Sequence, residues 1–197
     1  MEPAAYFPLR TALQMPDTTW QRLPVELDDD DRFKQVLIEV HQEIYTQYFS
    51  DDPLINSNLG FNLHAYRRTS GWRVVLILTP WMLSRLLFPE HDPHIVIPEG
   101  WSGEERCGTD YQVLGPSLRL GWSGNYMQSH LNFHARLGHY LLQPILMNMH
   151  HYNTPQEAFE AWNRLIRNRG GKMTQMEAKR PWQEEVSRQA VGDNYPG

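Results

Sequence analysis

Nine histidines are the residues of this chain best suited to bind a metal, and five of them lie in its second half. These five are His130, His134, His139, His150 and His151. Imidazole nitrogens bind zinc, so three that converge could form a metal site. His130 and His134 are an even number of residues apart, so a strand places both on one face. The region lacks an HExxH motif, and we interpret the histidines as polar residues of a sheet or as partner contacts.

Two residue types could supply a nucleophile, and neither has the context that catalysis needs. Cys107 is the single cysteine, so an internal disulfide, a CxxC pair and a four-cysteine zinc site are excluded. Its neighbours Glu104 and Glu105 disfavour a thiolate. Ser84 does not lie in a GxSxG motif, and the chain has no GxGxxG or Walker loop. We therefore predict a protein that is not an enzyme and binds no cofactor or metal. A metalloenzyme that uses His130, His134 and His139 stays open as an alternative.

Composition predicts a folded domain with ordinary partners. The 197 residues are 41% hydrophobic and 12% aromatic, which is unlike a disordered chain. The net charge of -5 argues against nucleic-acid binding driven by overall charge. The longest aliphatic run, residues 74–78, is too short to span a bilayer, and residues 1–6 lack a basic start before an apolar core. We expect a cytoplasmic protein that does not insert into a membrane.

Two segments have the spacing and end signals of helices. The first follows the acidic run at 28–31, which can cap a helix, and is predicted over 31–50. The second is predicted over 154–169. Thr154 is its cap, Pro155 and Glu157 follow as a helix start requires, and Gly170-Gly171 is the expected stop.

The remaining periodic segments predict strands. Residues 59–66 alternate, 67–71 form a turn, and 72–79 is apolar on both faces. A long loop is expected over 89–116, with a possible short strand at 95–97, and strands follow at 117–122, 126–134 and 137–144. We predict one α+β domain over 28–170, with a mostly antiparallel sheet that both helices cover on one side. Residues 1–27 are an extended N-terminal arm, and 171–197 are a polar tail.

A proline corner, Thr79-Pro80-Trp81-Met82, joins two apolar stretches. Pro80 has a fixed φ and holds Thr79 extended, so the turn is expected to be stiff. We expect a strand before it and a short apolar helix or loop after it. The chain has seven Trp and eight Met, types that are common in binding surfaces. The corner is therefore the predicted partner-binding site.

The corner and several later segments resemble the HybE/HupJ family of NiFe-hydrogenase assembly chaperones. The first segments that resemble the family are Asn58-Leu59-Gly60-Phe61, the run from Leu78 to Ser84, and Phe88-Pro89. The resemblance continues in Leu137-Gly138-His139-Tyr140, in Pro144-Ile145-Leu146-Met147 and in the helix with Ala158. It covers residues 33–166. It implies a small cytoplasmic protein without catalysis that holds a precursor small subunit with its twin-arginine signal peptide and associates with the large subunit.

We therefore predict a client-specific assembly chaperone for a multi-subunit metalloenzyme, in the first place a NiFe-hydrogenase. It would act by binding an immature subunit. The alternative is a stable accessory subunit whose arm and tail wrap a large complex. The 90–116 loop, the arm and the tail depart from the family pattern, which affects the identity of the client. The predicted partner-binding residues are Trp81, Met82, Leu83, Leu86, Phe88, Tyr140 and Met147.

Overall fold

A computed structural model describes residues 19–122 and 125–178, with side-chain surroundings for 19–121 and 127–167. This part of the chain forms one antiparallel sheet with helices on it, so the predicted α+β class is confirmed. No helix in the described residues is long and apolar enough to cross a membrane. The helices are α1 (Asp30–Tyr48), α2 (Gly103–Arg106) and α3 (Pro155–Ala178). The strands are β1 (Asn62–Thr69), β2 (Trp72–Leu78), β3 (Leu83–Pro89), β4 (Ser117–Trp122), β5 (Asn125–His134) and β6 (Gly138–Leu146).

The sheet consists of two three-stranded meanders, β1-β2-β3 and β4-β5-β6, which are joined by pairing of β3 with β6. Its order is β1-β2-β3-β6-β5-β4, and every neighbouring pair is antiparallel. The β1–β2 hairpin turns at Ser70 and Gly71, whose φ values are 51° and 74°. A two-residue hairpin turn of this kind needs positive φ at both positions, so the turn is shorter than the predicted 67–71.

One face of the sheet packs against α1 and is called the α1 face. Asp29 caps this helix, because its carboxylate accepts a hydrogen bond of 2.7 Å from the Arg32 amide. Phe33, Leu37 and Val40 are fully buried on the helix. They belong to a cluster whose sheet residues are Val75, Ile77, Leu86, Phe88, Tyr140 and Leu142.

The opposite face packs against α3 and is called the α3 face. Ala158 and Phe159 of this helix share a cluster with Leu76, Leu78 and Leu83. The prediction that both helices cover one side is therefore wrong. The physical reason lies in β2, whose successive residues point to opposite faces and are apolar on both, so each face needs a cover.

Three further details differ from the sequence-based expectation. The stretch after the proline corner is the strand β3, because it is central in the sheet and buried on both faces. Residues 95–97 are a loop, although Ile97 is 2% exposed and packs on the sheet. The helix α3 continues through Gly170-Gly171 to Ala178, because each glycine costs only about 1 kcal/mol in a helix.

The described part of the N-terminal arm packs on the domain. Trp20 is 5% exposed, and its ring centroid lies 5.4 Å from that of His139. The Gln21 amide donates to Nδ1 of His139 at 2.8 Å, and the His139 amide donates back to the Gln21 carbonyl at 2.7 Å. These bonds fix the arm to the start of β6. Residues 1–18 of the predicted arm and 179–197 of the predicted tail lie outside the described residues.

The acidic run before α1 pairs with arginines of the sheet. Asp30 accepts from Arg68 and from the Tyr66 hydroxyl, each at 2.6 Å, and Asp28 lies 2.8 Å from Arg73. The Tyr66 hydrogen bond, followed by Arg68, lowers the pKa of Asp30. The run thus caps the helix and ties its first turn to β1 and β2.

Candidate functional site

The proline corner is a tight turn between β2 and β3. The Thr79 amide donates to the Met82 carbonyl at 2.9 Å, and the Thr79 hydroxyl donates to the same carbonyl at 3.1 Å. The Met82 amide lies 3.2 Å from the Thr79 hydroxyl oxygen. Thr79 is 1% exposed, so these bonds satisfy polar groups that have lost water. The turn is therefore held by side chain and backbone together, as the stiff corner of the sequence predicts.

Trp81 points from this turn into the core rather than into solvent. It is 7% exposed, and its ring centroid lies 4.8 Å from Phe49 and 6.1 Å from Phe61. His41 lies 6.2 Å away in a parallel arrangement. Burial lowers the pKa of His41 to about 4, so this imidazole is neutral at pH 7. Trp81 thus joins the end of the sheet to the C-terminal half of α1.

Five other residues of the predicted site are also buried. Their exposed fractions lie between 0% and 2%. Phe88 contacts Phe33 at a centroid distance of 5.1 Å and Tyr140 at 5.2 Å. In this structure these side chains are core residues and do not form an open surface. The five are Met82, Leu83, Leu86, Phe88 and Tyr140.

The Tyr140 hydroxyl is a polar group inside this core. Burial raises its pKa to about 12, and the nearby Tyr111 and Asn132 side chains oppose that rise. No atom of the described residues meets hydrogen-bond geometry with this hydroxyl. Burial likewise raises the pKa of Tyr111. Both phenols are neutral over the physiological range, so they supply no base.

Met147 is the one predicted site residue that is exposed, at 56%. It directly follows Leu146, which pairs with Leu83 beside the corner. Leu54, which is 72% exposed, lies in the loop after α1. No sequence pattern singles out Leu54, because Leu54-Ile55 is a short apolar pair in a polar loop and has no periodic spacing.

Asn56 ties the loops around the corner into one surface, which we call the corner end. Its amide donates to the Pro80 carbonyl at 3.2 Å. Its side-chain amide donates to the carbonyls of Met149 at 3.0 Å and Tyr152 at 2.7 Å. The loops at 50–58, 79–82 and 147–153 are therefore joined at the same end of the sheet. The corner end exposes Leu54 and Met147, whereas Thr79, Trp81 and Met82 of the corner are buried.

The three candidate metal-binding histidines do not converge. His130 and His134 occupy alternate positions of β5 on the α1 face, as their spacing predicts, whereas His139 lies on the other face. Nδ1 of His130 lies 2.8 Å from the Gly115 carbonyl, and Nε2 of His139 lies 2.9 Å from the Trp101 carbonyl. Burial lowers the pKa of His134 and of His139. In the part of the chain that the structure describes, no three His, Cys, Asp or Glu residues are grouped to hold a metal.

Comparison with known proteins identifies one family. The model of the family described as NiFe-hydrogenase assembly, chaperone, HybE matches residues 32–191. No curated protein matches the chain. Among solved structures, the solution structure of HybE from Escherichia coli is similar, with 16% sequence identity and a TM-score of 0.36. That alignment covers 56% of this chain and 59% of the other.

Proposed function

This chain belongs to the HybE family of NiFe-hydrogenase assembly chaperones, and from that premise we propose that it binds an immature hydrogenase subunit until assembly is complete. The observation that supports this proposal is the family match over residues 32–191, which includes the proline corner, the whole described sheet and α3. We place the binding in the cytoplasm. The proposed client is a precursor small subunit that carries a twin-arginine signal peptide, with the large subunit as a second partner.

The proposed mechanism is binding without catalysis and without a cofactor. A chaperone of this kind protects a client surface until the client's own partner displaces it. Its binding surface has to be apolar enough to cover that surface and rigid enough to keep its shape. The corner end combines both properties, because exposed apolar side chains stand on loops that Asn56 and Thr79 hold by hydrogen bonds.

We propose that the client contacts the corner end through Leu54 and Met147. These two side chains are 72% and 56% exposed. Leu54 lies two residues before Asn56, and Met147 lies two residues before Met149, whose carbonyl accepts from Asn56. Trp81 and Met82 would act indirectly, because their burial sets the conformation of the turn beneath them. Of the seven predicted site residues, Met147 is the proposed contact, and the other six are buried.

Substitution of the exposed pair tests this surface. In the double variant Leu54→Asp with Met147→Asp, two charges replace apolar contacts that would lose water on binding. We expect its affinity for the tagged hydrogenase precursors of the native host to fall at least about tenfold, since two buried apolar contacts contribute more than 1.4 kcal/mol. The measurement is quantitative pull-down at matched concentrations, with circular dichroism to show that the variant is folded.

The matched control places the same charges on exposed apolar residues away from the corner. Val25 and Val96 are 75% and 81% exposed, and Val96 lies in the loop that follows the opposite end of β3. Val25→Asp with Val96→Asp should retain precursor binding. Equal losses in both double variants would reject the corner end as the contact surface.

The accessory-subunit alternative depends on the ends of the chain. Its proposed wrapping segments are mostly residues 1–18 and 179–197, which lie outside the described residues. It therefore stays a prediction. The two functions differ in the partner that is captured: a chaperone holds unprocessed subunits, whereas an accessory subunit remains at equal stoichiometry in the mature complex.

A further inference from the structure

Two arginines lie on either side of Val74 and Leu76 on the α3 face of the sheet, and we call these two apolar residues the floor. Arg67 of β1 pairs with Val74 of β2, and Arg85 of β3 pairs with Leu76 of β2. The four residues therefore lie on one face, with the arginines on either side of the central strand. Strands are about 4.8 Å apart and rise about 3.3 Å per residue, and the arginines are offset by two residues along β2, so their backbones are separated by about 12 Å, a gap that two long side chains can close.

The helix α3 completes a cavity over this floor. Trp162 and Ile166 of α3 line it together with Val74, Leu76 and the two arginines, and its volume is about 220 Å³. Ile166 is 47% exposed, so the apolar edge of the helix continues from the cavity to the surface. The cavity is smaller than the roughly 300–1,000 Å³ that hold drug-sized ligands. It fits one charged group with an apolar neighbour.

The charge of the two arginines is not neutralised by the described residues. No carboxylate of the described side chains lies within ion-pair distance of Arg67 or Arg85, whereas Arg68, Arg73 and Arg136 all have carboxylate partners. Arg85 is half-buried, and among the described residues its guanidinium donates only to the Gln143 side-chain carbonyl, at 3.3 Å. Burial lowers the pKa of Arg85, and the charge of Arg67 lowers it further.

We propose that this cavity binds a carboxylate group of a partner polypeptide, with an apolar side chain of the same segment against Trp162 and Ile166. A guanidinium donates two parallel hydrogen bonds to a carboxylate, and charge-assisted bonds of this kind are about twice as strong as neutral ones. A bound carboxylate would neutralise both the half-buried cation of Arg85 and the exposed cation of Arg67, which line the same cavity. The size of the cavity favours the end or the side chain of a peptide over a free cofactor. This site is on the other face from α1 and does not depend on the hydrogenase proposal.

Three short peptides separate the sources of the carboxylate. All have five residues and the same apolar pair at the C-terminus. The first has a free terminal carboxylate, the second a terminal amide, and the third a terminal amide with an internal glutamate. The readout is the indole N–H signal of Trp162 in ¹⁵N NMR spectra, assigned with Trp162→Phe. We expect the first or the third peptide to shift this signal in a saturable way, and the neutral second peptide to bind at least about tenfold more weakly.

Charge-neutralising variants assign the effect to the two arginines. Arg67→Gln changes an exposed side chain and should keep the fold, whereas Arg85→Gln changes a half-buried one and is checked by its NMR spectrum. Each should weaken binding of the carboxylate peptide at least about tenfold. The matched control is Arg32→Gln on α1, which makes the same charge change at an exposed site on the opposite face. It should change the affinity less than twofold.

Three results would overturn the proposal. The neutral peptide could bind as tightly as the carboxylate peptides, which would show that binding depends only on the apolar contact with Trp162 and Ile166. Arg32→Gln could weaken binding as much as Arg67→Gln, which would show a non-specific charge effect. Inorganic phosphate could displace the peptide at equal concentration, which would show a general anion site rather than a peptide site.

Discussion

Removal of the Trp81 side chain should destabilise the whole domain, because the corner residue is part of the core. Trp81 is 7% exposed and packs among Phe49, Phe61 and His41. Replacement of such a buried aromatic residue by alanine costs about 3–5 kcal/mol through lost contacts and a remaining cavity. A domain of this kind has a free energy of unfolding of about 5–15 kcal/mol, so Trp81→Ala removes a large fraction of it. Trp81→Phe keeps an aromatic ring and should cost less.

Urea unfolding followed by circular dichroism at 222 nm measures this effect. We expect the urea concentration at the midpoint to fall strongly in Trp81→Ala. The slope of the free energy of unfolding against urea concentration should stay the same, because the same surface is exposed on unfolding. Val96→Ala is the matched control, since Val96 is 81% exposed, and it should change the free energy of unfolding by no more than about 0.5 kcal/mol.

A stability change below about 1 kcal/mol in Trp81→Ala would contradict the burial of this side chain, because only an exposed residue is so easily removed. Trp81 would then belong to an open binding patch in solution. The result also decides how binding experiments are interpreted. If Trp81→Ala unfolds the chain, loss of client binding by a Trp81 and Met82 double variant reports on folding and not on a contact.

Two further predictions concern buried groups. Because burial lowers the pKa of His41 from 6.5 to about 4, the unfolded state binds a proton between these pH values that the folded state does not. The contribution of His41 to the free energy of unfolding should therefore be fully present above pH 6.5 and decrease by about 3 kcal/mol as the pH falls from 6.5 to 4. In His41→Phe the loss over this range should be smaller in urea titrations at each pH, and an unchanged loss would contradict the assignment to His41. Gly138 has a φ of 69°, and a Cβ there would meet the carbonyl oxygens of Gln21 and Arg22, so Gly138→Ala should lower the free energy of unfolding by about 2–4 kcal/mol in urea titrations. Gly121→Ala, where a Cβ has open space, is the control and should cost far less; equal effects would contradict the close packing of the arm.

The sequence predicts the elements well where a pattern is long. The helix α1 has an acidic cap and regular apolar spacing, and β5 has regular alternation, so both were located within a few residues. The arrangement of the helices was not predictable in the same way. The apolar run of β2 shows that both faces are buried, but it does not say which helix covers which face.

The candidate site was harder to predict, because apolar residues are typical both of cores and of binding surfaces. Trp81 and Phe88 have the composition of a docking patch, but the structure buries them through contacts with Phe49 and Phe33, which are distant in sequence. Arg85 interrupts the apolar run of β3, and a charged residue at such a position is a sequence signal of a possible binding site. Its partner across the floor, Arg67, was predicted to lie in a turn, so the pair became visible only from the strand register.

The most direct test of the proposed chaperone function is affinity capture with the tagged chain in the native host, followed by intact-mass spectrometry of the hydrogenase subunits that it retains. We expect unprocessed subunits, with the small subunit still carrying its twin-arginine signal peptide. We also expect these subunits to be lost from the Leu54→Asp and Met147→Asp double variant. Capture of only mature, processed subunits at equal stoichiometry would contradict the chaperone function and favour a stable accessory subunit.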